Sequence, residues 1–235
     1  MLAQVLKLKA IPDRVLFVGV IHTDIDSVKH VRKAVKETKP EVVAVELDRD
    51  RYQQLLHPPT EQEMTAQVPT GEVVQDLFQQ IALLEKKLGN VTGSDVGAEM
   101  LAAIEEGRKL GSKIALVDRP IQATAQAIMS VPLDEVYRMF NMIPGASDDI
   151  QHGDAQDLMT TLKEEGAVTA VMEEFRSEFP HLSNALIDER DKYVANALCT
   201  ILNDVKGKIV AVLGAGHIEG VQNALSKLLE SQAGS

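Results

Sequence analysis

The sequence predicts an α/β fold: a mixed, largely parallel central sheet with helices on both faces and a helical insertion before the last strand. Four short runs rich in β-branched residues are apolar almost throughout, which is typical of strands buried on both faces. Amphipathic helical patterns lie between the runs, and such alternation implies right-handed crossovers between parallel strands. The four runs are residues 15–21, 41–47, 113–118 and 208–214.

The segments between these runs repeat apolar residues at helical spacing. Residues 26–38 place Val28, Val31 and Val35 on one face, as expected of a helix that packs on a sheet. The same pattern recurs in three further segments, 72–88, 95–110 and 218–229, of which the first two are separated by the turn-forming sequence GNVTG at 89–93.

A long stretch from about residue 122 to 203 has no run that suits a strand. We expect it to be a helical insertion within one domain that spans residues 1–235. Its Met-bearing run 128–143 suits either core packing or a contact with a second copy, so a homodimer is possible. The polar, proline-bearing stretch 57–71 predicts a loop. Helix breaks within the insertion are expected at Pro132, Pro144-Gly145 and Pro180.

Composition excludes some classes of function. The formal net charge is -11 and aromatic residues make up 3% of the chain, so neither phosphate attraction nor base stacking favours nucleic acid as a partner. A single cysteine, Cys199, cannot form an intrachain disulfide and suits a reducing compartment. No apolar run has the length of a membrane span. As given, the chain is expected to be cytoplasmic.

Polar side chains follow the ends of all four predicted strands. His22 follows the first strand, Glu46 ends the second, Arg119 follows the third and His217 follows the fourth. The carboxyl ends of parallel strands meet at one edge of a sheet, which is where ligands bind in open α/β folds. The sequence therefore predicts an active site built from these four side chains.

The residue types indicate metal chemistry. Two imidazoles and a carboxylate, here His22, His217 and Glu46, are a typical ligand set for a divalent ion such as Mn, Co or Zn, which would activate bound water. Glu46 could instead serve as a general base. Arg119 could hold a substrate carboxylate or stabilise an oxyanion. Neighbouring glycines would let a ligand approach closely, namely Gly19, Gly214 and Gly216.

Structural roles compete with these functional ones. Either histidine alone could be a hydrogen-bonded structural residue, Asp24 could cap the helix that follows it, and Asp118 could pair with Arg119. The sequence GAGHIEG resembles a glycine-rich phosphate turn, but no second strand follows it, so a dinucleotide site is not expected. A serine hydrolase is unsupported because no G-x-S-x-G sequence occurs.

An ordered set of motifs resembles the TraB family, the PrgY-like pheromone-shutdown proteins related to the animal Tiki proteins. The resemblance runs from about residue 14 to 225. In order, the motifs are GVIHTD, VVAVELDRDRY, GAEMLAAIEEGRKLGSKIALVDRPIQAT, LIDERDKYVANAL and VAVLGAGHIEG. Carried onto this chain, the family's positions are the two G-x-x-H pairs Gly19 with His22 and Gly214 with His217, then Glu46, Arg51, Glu99, Arg119, Glu189 and Arg190.

The resemblance implies both a fold and an activity. The fold is similar to that of erythromycin-esterase-like and ChaN-like proteins. Tiki proteins are described as metal-dependent proteases that use the G-x-x-H histidines, and PrgY-like proteins as blocking a peptide pheromone. The expected function is therefore metal-dependent hydrolysis of a peptide, or alternatively the sequestration of a peptide or small ligand in the same cleft without catalysis. Many members carry a C-terminal membrane segment, which would imply membrane association if this chain continued into one.

Overall fold

The computed structural model describes residues 11–22, 24–58, 73–92, 94–149, 155–164 and 166–233. The loop predicted at 57–71 lies outside the described residues from residue 59 onward.

A parallel sheet forms the centre of the fold, and it confirms the predicted strands to within two residues or so at each end. The strands are β1 (Val15–Val20), β2 (Val42–Val45), β3 (Lys113–Leu116) and β4 (Ile209–Gly214). Their order is β1-β4-β2-β3, and every pairing is parallel. Val20 pairs with Gly214, and Val45 pairs with Val212 and Leu116, so the carboxyl ends of the four strands lie close to one level.

Helices surround the sheet, as the alternating pattern predicts. Their bounds are α1 (Ile25–Thr38), α2 (Arg49–Leu56), α3 (Val73–Thr92), α4 (Ala98–Lys109), α5 (Ile121–Met129), α6 (Leu133–Asp149), α7 (Ala155–Leu162), α8 (Ala167–Glu178), α9 (Pro180–Ser183), α10 (Glu189–Asp204) and α11 (Ile218–Ala233). A π-helical turn, Asn184–Asp188, joins α9 to α10, and a 3-10 turn, Ala215–His217, joins β4 to α11.

Two apolar cores cover the two faces of the sheet. On one face, α1 and α4 pack through Val31, Val35 and Ile104 against Val43 and Val210. On the other, the side chains of α10 and α11 pack on the opposite faces of β2 and β4. This burial explains why the strands are apolar at nearly every position, since each side chain meets a helix whichever way it points.

The helices of the predicted insertion form a further core that includes Leu77 of α3. In the Met-bearing run, Ile128, Val136 and Ile143 are buried, whereas Met129 and Leu133 are exposed. The expected core role therefore holds for one side of this run. None of the described helices is long and apolar enough to cross a membrane.

Two predicted helix breaks are wrong. Helix α3 continues through Gly89 to Thr92, where a turn was expected, because one glycine costs a helix only about 1 kcal/mol. Helix α6 continues through Pro144 and Gly145, although a proline inside a helix removes one hydrogen bond and costs about 3 kcal/mol. The expected breaks at Pro132 and Pro180 are confirmed, because α6 begins at Leu133 and α9 begins at Pro180.

Candidate active site

Three of the predicted site residues meet around Gly214 at the carboxyl edge of the sheet. A β-carbon placed on Gly214 would lie 3.2 Å from His22 Nε2, 3.4 Å from Glu46 Oε2 and 3.4 Å from His217 Cδ2. Glycine at this position therefore leaves room for the three side chains to approach one another. The three side chains come together because each one follows a strand of a parallel sheet.

Glu46 lies directly after β2 and is 6% exposed. Its Oε2 accepts a hydrogen bond from the Gly214 backbone N–H at 2.6 Å, and its Oε1 accepts one from Arg190 Nη2 at 2.8 Å. His217 Nε2 lies 3.4 Å from the same Oε1. The carboxylate is thus held between the end of β4 and helix α10.

Each site histidine is held through its Nδ1 by a buried carboxylate. His22 Nδ1 lies 2.8 Å from Glu99 Oε1, and His217 Nδ1 lies 2.6 Å from Asp191 Oδ1. A carboxylate at Nδ1 favours the tautomer that carries its proton there, which leaves Nε2 with a lone pair. Glu99 comes from α4 and Asp191 from α10, so the two carboxylates approach the site from opposite faces of the sheet.

Burial and charge shift two pKa values in this group. Burial lowers the pKa of His217, but the negative charge of Glu46 and the hydrogen bond with Asp191 outweigh it, and the pKa lies above its usual range. Burial raises the pKa of Asp191, and the hydrogen bond with His217 only partly offsets that rise. Both shifts favour keeping a proton or another positive charge among these side chains.

A chain of alternating charges leads away from Glu46. Arg190 Nη2 contacts Glu46 and also donates to Asp118 Oδ2 at 2.7 Å. Arg51 Nη2 donates to the same Asp118 oxygen at 2.6 Å, and Arg51 Nε donates to Asp48 Oδ2 at 2.8 Å. Burial raises the pKa of Asp118, but the hydrogen bond and charge of Arg190 and the charge of Arg51 hold it below its usual value. Asp118 is thus paired with Arg190 and Arg51, not with the guanidinium of Arg119 as the structural alternative supposed.

Arg119 lies apart from Glu46. Its guanidinium donates to Glu189 Oε2 at 2.8 Å, to the Ala185 carbonyl at 2.6 Å and to Thr124 Oγ1 at 3.2 Å. The residue is 7% exposed. Glu189 is thus paired with Arg119, and Arg119 ties the end of β3 to the π-helical turn.

The first turn of α10 supplies three consecutive side chains that point in different directions. Successive helical residues differ by about 100° around the axis, so Glu189 reaches Arg119, Arg190 reaches Glu46 and Asp191 reaches His217. The turn that precedes α10 is π-helical, a geometry that is frequent near functional sites. The sequence reasoning missed Asp191, although its place directly after Glu189 and Arg190 in the same motif was a signal that could have found it.

Other predicted residues lie beside this group. A β-carbon on Gly19 would lie 3.4 Å from Ile218, and one on Gly216 would lie 2.9 Å from Met172, so both glycines allow close packing around the 3-10 turn. Asp24 caps α1, as the structural alternative expected, by accepting from the Asp26 and Ser27 backbone N–H groups.

Two contacts join the insertion to the turns that carry the histidines. Lys163, directly after α7, lies 2.9 Å from Asp24, two residues beyond His22. Met172 of α8 packs on Gly216, next to His217. The pair α7–α8 thus reaches from one histidine turn to the other.

The donor set fits a divalent cation in its chemistry. Two imidazoles with carboxylate-held Nδ1 atoms and an adjacent glutamate are the groups such an ion prefers. In the described part of the chain, however, no three His, Cys, Asp or Glu side chains are gathered closely enough to form a metal site as they stand. His217 and Glu46 instead contact each other.

The fold and the site together define an α/β protein with a buried, charged centre at the carboxyl edge of a parallel sheet. The chain belongs to the TraB/PrgY/gumN family, whose family model matches residues 6–233. It is 30% identical over 224 residues to an uncharacterized protein of Methanocaldococcus jannaschii, covering 91% of this chain and 54% of that protein. It is 28% identical over 251 residues to the human TraB domain-containing protein, covering 93% of this chain and 64% of that protein. The chain therefore spans 54% to 64% of the length of these relatives.

Proposed function

We propose that this protein is a metal-dependent hydrolase that acts on a peptide at the carboxyl edge of its sheet. One observation carries the proposal: both histidines are held at Nδ1 by buried carboxylates, and a β-carbon on Gly214 would contact the His22 Nε2 atom and the His217 ring together. Carboxylate-held imidazoles of this kind are typical of metal ligands.

His22, His217 and Glu46 would hold the ion, and Mn, Co or Zn are the candidates. Such an ion, when bound, lowers the pKa of water and polarises a carbonyl group.

The residues of this chain provide the setting for that chemistry. Glu99 and Asp191 orient the imidazoles, and Arg190 donates a hydrogen bond to Glu46. Arg119 orients the first turn of α10 through Glu189 and Ala185. Gly214 keeps the space between the imidazoles open.

Buried charge also favours a cation in this group. Glu99 Oε2 and Asp191 Oδ2 are buried and have no hydrogen-bond partner among the described residues. Buried carboxylates without full partners are costly, and added positive charge on the attached imidazoles would offset part of that cost.

Metal content tests the proposal directly. Wild type, the His22→Ala/His217→Ala variant and a His30→Ala/His57→Ala control would be purified without chelator, reloaded with Mn, Co or Zn, and subjected to elemental analysis. We expect near-stoichiometric metal in wild type and control and none in the site variant. A peptide-cleavage screen with and without chelator would follow. If no loading condition gave bound metal, or if chelated protein cleaved as fast as loaded protein, the mechanism would be wrong.

One observation favours a second candidate, peptide binding without catalysis in the same cleft. Both oxygens of Glu46 already accept hydrogen bonds, from Gly214 and Arg190, so the carboxylate is poorly placed to take a proton from water. This candidate predicts stoichiometric peptide binding that survives chelation, without turnover. Isothermal titration of chelated protein with a peptide pool, followed by mass spectrometry of the peptides, separates the two functions.

A further inference from the structure

We propose that Asp191, seated on Gly220, is the positioning residue that fixes the tautomer and orientation of His217, so that its Nε2 faces Glu46. The inference rests on the proposed function in one respect only, which is the identity of the ion that His217 Nε2 binds.

Contact geometry gives Asp191 this position. Its Oδ1 lies 2.6 Å from His217 Nδ1, and the residue is 3% exposed. At this distance the contact is a short, charge-assisted hydrogen bond. Among the described contacts of His217, Asp191 is the one at Nδ1, while Glu46 lies 3.4 Å from Nε2. The two nitrogens therefore face different carboxylates.

Gly220 explains how Asp191 reaches the imidazole. A β-carbon on Gly220 would lie 1.8 Å from Asp191 Oδ2 and 2.8 Å from its Cγ. Any side chain at position 220 would therefore displace the carboxylate. His217 and Gly220 are three residues apart, so they lie on the same side of the chain where the 3-10 turn enters α11. The last glycine of GAGHIEG, Gly220, thus makes room for the Asp191 carboxylate.

Energetics indicate that Asp191 is retained for function. Its Oδ2 is buried and has no hydrogen-bond partner among the described residues. An incompletely paired buried carboxylate costs stability, whereas an apolar residue of similar size would not. Residues that weaken a fold in this way are expected at functional sites.

Two pairs of proteins test the packing of Asp191 against Gly220. Gly220→Ala would be made in wild type and in Asp191→Ala, and thermal unfolding would be measured for each. We expect Gly220→Ala to lower Tm in wild type and to be tolerated in the Asp191→Ala background, because the remaining Asp191 Cβ lies at an ordinary contact distance of 3.4 Å. An equal change in Tm in both backgrounds would show that Gly220 does not make room for the Asp191 carboxylate.

Nitrogen NMR of the imidazole tests the positioning role without relying on metal or turnover. At alkaline pH, wild type should show His217 protonated at Nδ1, and Asp191→Ala should shift it towards the Nε2 protonated form. Asp191→Asn can turn its amide N–H groups to Nδ1, so it should also favour the Nε2-protonated form. Asp188→Asn, which removes a half-exposed carboxylate one turn away, is the matched control. An unchanged tautomer in Asp191→Ala would overturn the proposal.

Metal titration then links the two proposals. Loss of the Asp191 carboxylate should weaken Zn²⁺ binding about 10- to 100-fold, the usual effect of losing a partner of a ligating histidine. If wild type bound no metal, the proposed function would fail while the tautomer result stood. If wild type bound metal and Asp191→Ala bound it equally well, the positioning role would fail alone.

Discussion

Arg190 balances the buried negative charge at the carboxyl edge of the sheet. It donates to Glu46 at 2.8 Å and to Asp118 at 2.7 Å, and the side chains of these acceptors are 4% and 0% exposed. Removing one partner of a buried ion pair leaves an uncompensated charge, which costs far more than the pair itself contributes. The first-turn arginine of α10 is therefore as important for folding as for the site.

Truncation of this arginine should have a large effect on stability. Arg190→Ala is expected to lower the free energy of unfolding by about 3–5 kcal/mol. Arg190→Lys keeps the charge but loses the forked geometry, and should cost about 1–2 kcal/mol. Urea denaturation measures both. Arg176→Ala, which removes a half-exposed pair with Asp188, is the control and should cost less than about 1 kcal/mol. A loss that small for Arg190→Ala would contradict the charge argument.

At the same scale, the sequence predicts which residues converge better than what each one contacts. His22, Glu46 and His217 follow strands, and the parallel order places strand ends together whatever the helices do. Asp191 lies on a helix whose rotation is set by a π-helical turn and by tertiary packing. No local pattern gives that rotation, and the sequence therefore did not reveal the His217–Asp191 contact.

Among the elements, α9 depends on a carboxylate from another helix. This four-residue helix has no hydrogen bond from its own capping side chain. Glu135 of α6 instead accepts from the Leu182 N–H at 3.0 Å and from the His181 N–H at 3.1 Å. It also contacts His181 Nδ1 at 2.6 Å. Because α9 leads through the π-helical turn into α10, this cap also supports the helix that carries Arg190 and Asp191.

Stability should depend on the ionisation of Glu135. Burial raises its pKa, but the hydrogen bonds with His181 and with the Leu182 and His181 N–H groups lower the pKa below its usual value of about 4.5. A depressed pKa means that the stabilisation is present above about pH 4.5 and is lost as the pH falls through the folded value. Glu135→Gln should cost about 1 kcal/mol at neutral pH and flatten the acid limb of the stability curve.

Chemical denaturation at several pH values tests this dependence. Glu178→Gln is the matched control, because the Glu178 side chain is 62% exposed and its ion pair with Arg138 is long, at 3.8 Å. An acid limb as steep in Glu135→Gln as in wild type would show that other carboxylates carry the pH dependence.

Sequence patterns identify elements more reliably than their ends. The four strands and helices α1, α3, α4 and α11 were predicted, because burial imposes a clear apolar spacing on them. Helix α2, which has no buried residue, was not predicted. The ends of α3 and α6 were not, since Gly89 and Pro144 lie in helices whose packing outweighs a locally unfavourable residue.

Over the whole molecule, burial is unevenly distributed. All six residues of β4 are buried, and α10 has six buried residues. Helix α8, in contrast, has no buried residue. Local opening follows such differences, because a helix with few buried contacts can unfold without exposing the core.

Hydrogen exchange should reveal this difference. We expect the amides of α8 to exchange first, at a rate that low concentrations of urea do not change. The amides of α10 should exchange later, and those of β4 should exchange only through global unfolding. Exchange measured by mass spectrometry over a urea series gives the comparison, with α10 as the control helix from the same predicted insertion. Protection of α8 equal to that of β4 would contradict the prediction and show that contacts such as that of Met172 with Gly216 stabilise this helix strongly.

The strand order has a consequence for synthesis on the ribosome. β4 lies between β1 and β2, yet it is the last strand to be translated. Until it emerges, β1 and β2 have no common neighbour, and Glu46 lacks Gly214, Arg190 and His217. A nascent chain therefore holds the early part of its sheet open until β4 has been translated. The candidate site is completed only when residues up to His217 have left the exit tunnel, so any activity would be withheld from shorter nascent chains.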